Sequence, residues 1–101
     1  MTVFQKLWVD DIRPVPDNTW DCARSFHEAI VKLETNNYET VSLDHDLGSF
    51  YGNREMSGYD IMSWLVARKV DGTQHVPVNV FVHSANPVGV ANIQSLIDKF
   101  F

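Results

Sequence analysis

The sequence predicts an α/β protein, a small three-layer sandwich built on a mostly parallel sheet of four strands in the order 2-1-3-4. Short apolar runs rich in β-formers recur at Phe4–Val9, Glu39–Leu43 and Val78–Val82. Intervening stretches space their apolar residues as one face of a helix does. Each apolar run ends in polar side chains, namely Asp10-Asp11, Asp44-His45-Asp46 and His83-Ser84. Parallel strands bring their carboxyl ends to one edge, where open α/β sheets bind ligands.

The elements follow in order. Phe4–Val9 is the first strand. Trp20–Arg24 is the second, reached through the short link Ile12–Thr19. Within that link Arg13-Pro14-Val15-Pro16 favours extended backbone, so the chain returns along the sheet and the pair is expected to be parallel, with an antiparallel turn as the alternative. Phe26, Ala29, Ile30 and Leu33 mark a helix over Ser25–Asn36, with Ser25 and Glu28 spaced as a capping box. Glu39–Leu43 is the third strand. Residues 49–56 form a polar, glycine-containing loop that is expected to cover the crevice, bringing Tyr51, Asn53 and Arg54 near a ligand. A second helix starts at Ser57 or Gly58, buries Ile61, Met62, Leu65 and Val66, and stops around Gly72. Val78–Val82 is the last strand. After Asn86-Pro87 a third helix turns Val90, Ile93, Leu96, Ile97 and Phe100 inward. Right-handed crossovers are expected to place helices on both sheet faces.

With 101 residues, 45% of them hydrophobic, the chain suits a single domain over residues 1–101. Cys22 is the only cysteine, which excludes an internal disulfide and a multi-thiolate zinc site. No apolar run approaches the roughly 20 residues of a membrane span, and no signal-like segment opens the sequence, so a cytoplasmic protein off the membrane is expected. The net charge is −5 and the eight Lys and Arg residues are scattered, which argues against a surface tracking long duplex nucleic acid. An RNA end or a small phosphorylated nucleotide needs only two or three cations, and Arg13, Arg24 and Arg54 are the candidates. No P-loop, GxGxxG, GxSxG or HxxxH pattern occurs. The oligomeric state leaves no mark in the sequence.

Asp10 and Asp11 close the first strand. Two nearby carboxylates repel unless a cation or proton lies between them, which suggests Mg²⁺, Mn²⁺ or Ca²⁺; the plain alternative is a turn cap beside a solvated acid. Asp44 is the preferred further metal ligand or a nucleophile. His45 is a candidate general acid or base, or else a histidine orienting a carboxylate. His83 is placed to protonate a leaving oxygen and Ser84 to hydrogen-bond a phosphoryl oxygen, beside a helix start that suits anions. Asn86 either caps that helix or touches ligand, with the cap the more ordinary use. Arg13 either clamps phosphate or balances the acidic pair.

Asp10-Asp11, Asp44 and Ser84 together resemble the receiver domains of two-component signalling. A receiver also carries a lysine after its fifth strand, and neither that strand nor that lysine is found here. Four segments in order resemble a narrower group, the cyclic-phosphate processing receiver-like family: Leu7-Trp8-Val9-Asp10-Asp11-Ile12-Arg13-Pro14, Ser42-Leu43-Asp44-His45-Asp46-Leu47-Gly48, Gly58-Tyr59-Asp60 and Val82-His83-Ser84-Ala85-Asn86-Pro87-Val88-Gly89. The resemblance implies a truncated receiver-like (flavodoxin-like) fold and chemistry on cyclic phosphate ends of RNA. On that reading Asp10, Asp11 and Asp44 hold Mg²⁺ or Mn²⁺, Asp44, His45 and His83 carry the chemistry, and Arg13, Ser84 and Asn86 touch the ligand in a metal-assisted phosphoesterase. The competing expectation is a non-enzymatic module that binds a nucleotide or a protein partner. A third reading makes Asp44 a phosphate acceptor.

Overall fold

The structure, a computed structural model, describes residues 5–101. Four strands form a parallel sheet: β1 (Lys6–Val9), β2 (Trp20–Ala23), β3 (Thr40–Leu43) and β6 (Asn79–Val82), in the order β2-β1-β3-β6. With the intervening hairpin strands left out, that is the expected 2-1-3-4. The second strand pairs parallel with the first, Leu7 lying opposite Asp21 and Val9 opposite Ala23. Phe4, expected in the first strand, lies outside the described residues.

The helices α1 (Phe26–Thr35), α2 (Gly58–Asp71) and α3 (Pro87–Phe100) start and stop where local chemistry dictates. Ser25 accepts the Glu28 amide, whereas the Glu28 carboxylate reaches one residue further back, to the Arg24 amide, so the expected reciprocal box is only half made. At α2 both halves form: the Ser57 hydroxyl accepts from the first turn and Asp60 accepts the Ser57 amide at 2.7 Å. Asn86 caps α3 by accepting the Gly89 amide at 3.0 Å, with Pro87 harmless in the first turn.

Strand alternation sorts the sheet into two unlike faces. Leu7, Val9, Val41 and Leu43 are fully buried and join Ala29, Leu33, Ile61, Met62, Leu65, Ile93 and Ile97 in one core. The opposite face carries Trp8, Ser42 and Phe81 in register across three strands, and Phe81 is 55% exposed. α2 packs against both α1 and α3, so the helices form one layer. The receiver-like α/β fold is therefore as expected, but the second helical layer of a three-layer sandwich is not found among the described residues. The reason is directional. From β2 to β3 to β6 the chain steps the same way across the sheet, and crossovers of one hand then put α1 and α2 on the same side. The only step the other way, from β1 to β2, is made by loop, so it brings no helix to the other face. Trp8 and Trp20 meet edge to face there, with centroids 5.7 Å apart.

Residues 49–56, expected as an irregular loop, form an antiparallel hairpin of β4 (Ser49–Tyr51) and β5 (Arg54–Met56), with Phe50 opposite Glu55. Gly52 at the tip has φ +62°, a left-handed conformation that favours glycine. No described helix is long and apolar enough to cross a membrane.

Candidate metal and phosphate site

The carboxyl ends of β1, β3 and β6 meet at one edge, around a cleft of about 580 Å³. Asp10, Asp11, Asp44, Asp46, Arg13 and Ser84 line it together with Glu55 from the hairpin. Oxygens of Asp10, Asp11 and Asp44 can all lie within 4.8 Å of one another. The set is all carboxylate, which suits a hard divalent cation such as Mg²⁺ or Mn²⁺.

The three acids are held differently. Asp10 is 1% exposed. Its Oδ1 accepts the amides of Ile12 at 2.9 Å and Arg13 at 2.8 Å, and its Oδ2 lies 3.1 Å from His83 Nε2. Burial pushes this carboxyl upward, but the two amides and the imidazole together outweigh it and leave the pKa below the ordinary value. Asp44 is 8% exposed and shifted the other way. Burial is the main cause, the charge of Asp10 adds to it, and Ser84 and the Asp46 amide oppose it without prevailing. Asp11 reaches the same cleft because the backbone turns after β1, whereas in a regular strand its side chain would point to the face opposite that of Asp10.

Two glycines let α2 and α3 close onto this edge. A Cβ on Gly58 would stand 1.9 Å from the Asp44 carbonyl oxygen, and one on Gly89 would stand 2.3 Å from the His45 ring. Backbone contact at Gly58 is what allows its amide to reach the His45 carbonyl at 2.8 Å. The Gly58-Tyr59-Asp60 segment thus serves close approach and capping.

The two histidines stand outside the cleft lining. His45 packs on Gly89 and pairs with Asp46 through Nδ1 at 2.8 Å. His83 is held on both nitrogens: Nδ1 lies 2.6 Å from the Ser42 hydroxyl, Nε2 faces Asp10, and the ring stacks on Trp8 with centroids 3.6 Å apart. Burial lowers its pKa, against the hydrogen bond and charge of Asp10. Asn86 serves as the α3 cap, and its amide group also leans towards Asp46 at 3.4 Å.

Arg13 lines the cleft with an exposed side chain, and among the described residues it makes no ion pair. Arg24 instead donates to the carbonyls of Asp10 and Arg13, fastening the loop after β1. Arg54 pairs with Asp60, while Tyr51 and Asn53 are exposed and do not line the cleft. Two residues escaped the sequence reading. Ser42, 5% exposed, is a polar interruption between Val41 and Leu43, a signal that was available. Glu55 carried no such signal, because only the hairpin register turns it towards the cleft.

No curated protein and no solved structure matches the chain. The family model described as the cyclic-phosphate processing receiver domain matches residues 5–99, nearly the whole sequence and every element around the cleft. The chain belongs to the family of cyclic-phosphate processing receiver domains.

Proposed function

We propose that this domain is a cation-dependent phosphoesterase that opens 2′,3′-cyclic phosphates at RNA ends or on nucleotides. The observation that carries the reading is the convergence of Asp10, Asp11 and Asp44 within 4.8 Å at the floor of an open cleft. Carboxylates this close repel unless a proton or a cation lies among them, and Asp44, raised mainly by burial, is raised further by the charge of Asp10. A bound Mg²⁺ or Mn²⁺ supplies neutralisation of phosphoryl charge and lowers the pKa of a coordinated water.

The remaining work falls to the protein's own groups. Asp10 is fixed by its amide bonds and by His83, so it meets a ligand without rearranging. Arg13 offers a guanidinium to the phosphate from the mouth of the cleft, and the Ser84 hydroxyl faces the same space at the start of α3, where the helix dipole favours an anion. Neither imidazole touches the cleft directly, so His83 acts on it through Asp10 and His45 through Asp46.

That placement of the imidazoles favours a second reading, a module that binds a phosphorylated nucleotide or a protein partner without turnover. Purified protein incubated with a 2′,3′-cyclic nucleotide, with and without Mn²⁺, separates the two. The enzyme gives cation-dependent ring opening. Saturable nucleotide binding with no product at stoichiometric protein leaves the module.

A further inference from the structure

We infer that Ser42 is a positioning residue for the cation site: its hydroxyl donates to His83 Nδ1, which leaves the proton on Nε2 and makes the ring a fixed donor to Asp10 Oδ2. The inference rests on the proposed role of Asp10 as a cation ligand, and extends it to a buried chain of groups behind the cleft. The assignment of donors follows from the partners. Asp10 Oδ1 already accepts two amides, and Oδ2 of the carboxylate is left to accept from the imidazole at 3.1 Å. A neutral ring with hydrogen on Nε2 has only a lone pair on Nδ1, and the atom 2.6 Å away is the Ser42 oxygen. Serine is the donor of that pair.

Three further contacts keep the ring from turning. Trp8 lies flat against it, with an interplanar angle of 6°. Trp8 is itself held by donating from Nε1 to the Arg13 carbonyl at 3.3 Å and by its edge contact with Trp20. A ring flip would put carbon against both Ser42 and Asp10, in a place where His83 has only 17% of its side chain exposed. Ser42 lies on β3 directly opposite Trp8 on β1, so sheet register sets the whole arrangement. The same arrangement explains a hydroxyl buried within an apolar strand, a placement that costs stability unless the group is hydrogen-bonded. It also explains the aromatic pair on the uncovered face. Hydrogen-bonded partners that lie behind metal ligands fix both tautomer and aim, and losing one typically weakens metal binding about tenfold or more.

The test joins ring-nitrogen NMR of ¹⁵N-labelled, cation-free protein at pH 8 with Mn²⁺ affinity measured by calorimetry. Wild type is expected to show His83 protonated on Nε2 alone. Ser42→Ala is expected to populate both tautomers and to weaken Mn²⁺ binding by roughly tenfold. Ser42→Thr, which keeps the hydroxyl, is expected to restore both. A wild-type ring protonated on Nδ1, or mixed, overturns the inference. So does a Ser42→Ala protein that is folded and scrambled in tautomer but binds Mn²⁺ as wild type does. A wild type with the expected tautomer that takes up no Mn²⁺ overturns the inference as a statement about a cation site and the proposed function with it, whereas Mn²⁺ binding without turnover overturns the enzyme alone.

Discussion

Asp21 and Asp44 are two acids of one sheet with opposite fates. Asp21, on the second strand, accepts from the Tyr38 hydroxyl and from Lys32 at 2.9 Å, and its pKa falls below the ordinary value because those bonds and the Cys22 amide together outweigh burial. Asp44, at the end of the third strand, has two carboxylates for neighbours, and its pKa rises, chiefly through burial and further through the charge of Asp10. The first acid is complete within the chain. The second, for all its bonds from Ser84 and the Asp46 amide, has no cation beside it among the described residues. On the proposed function that is what separates a structural carboxylate from one kept for chemistry.

The largest expected break in that comparison is Asp44→Asn, which should cost on the order of 10²–10³-fold in cyclic-phosphate turnover while leaving the fold intact. Steady-state assay with 2′,3′-cyclic nucleotide and excess Mn²⁺ measures it. Chelation of the wild type should remove turnover, and added Mn²⁺ should restore it. Next comes thermal stability with cation. At about a hundred times its Kd, Mn²⁺ should add roughly 2.7 kcal/mol to the wild type and nothing to Asp44→Asn, read from calorimetric melting.

Asp21→Ala tests the other side. It strands the buried Tyr38 hydroxyl and leaves the Lys32 ammonium only its bond to the Cys22 carbonyl, and should cost about 2 kcal/mol, a fall in Tm of roughly 8–16 °C, with turnover per folded molecule unchanged. Equal loss of turnover would mean that the two acids are not independent.

The acids should also give opposite pH responses. A depressed folded pKa means that the stability from Asp21 is whole above its ordinary pKa of 3.8 and is lost as pH falls through the lower folded value. A raised folded pKa means that cation-free protein takes up a proton at Asp44 before the unfolded chain does, so its stability increases as pH falls from that raised value towards 3.8. Denaturation across pH 3–6 of wild type against Asp21→Ala and Asp44→Asn should therefore give difference curves of opposite slope. The smallest effect belongs to Arg54→Ala. Its partner is Asp60, its side chain is 72% exposed, and the pair should contribute less than about 1 kcal/mol. A large loss of turnover there would bring Arg54 itself into the site beside Glu55.

Much of this was legible in the residues. Caps at Ser25, Ser57 and Asn86, the apolar stripes of three helices and the polar ends of three strands are local signals, and each appears where the pattern put it. The hairpin was missed because Ser49-Phe50-Tyr51 and Arg54-Glu55-Met56 carry no strong alternation of burial to announce two strands. His45 and His83 look equivalent in sequence, each one residue from another polar strand-end group. Only packing shows one turned onto Gly89 and the other clamped between Ser42 and Asp10.

What the sequence by itself determined is the set of elements and which side chains stand at the strand ends, because periodicity, caps and strand termini act over a few neighbouring residues. What only the tertiary structure decided is which of those groups meet. Strand register laid Ser42 beside Trp8 and brought His83 back over both. The shared direction of the crossovers put α1 and α2 on one face, and α3 packs there against α2. The hairpin turned Glu55 into the cleft. These depend on contacts between residues far apart in the chain, such as Asp10 with His83, and no local pattern encodes such a pairing.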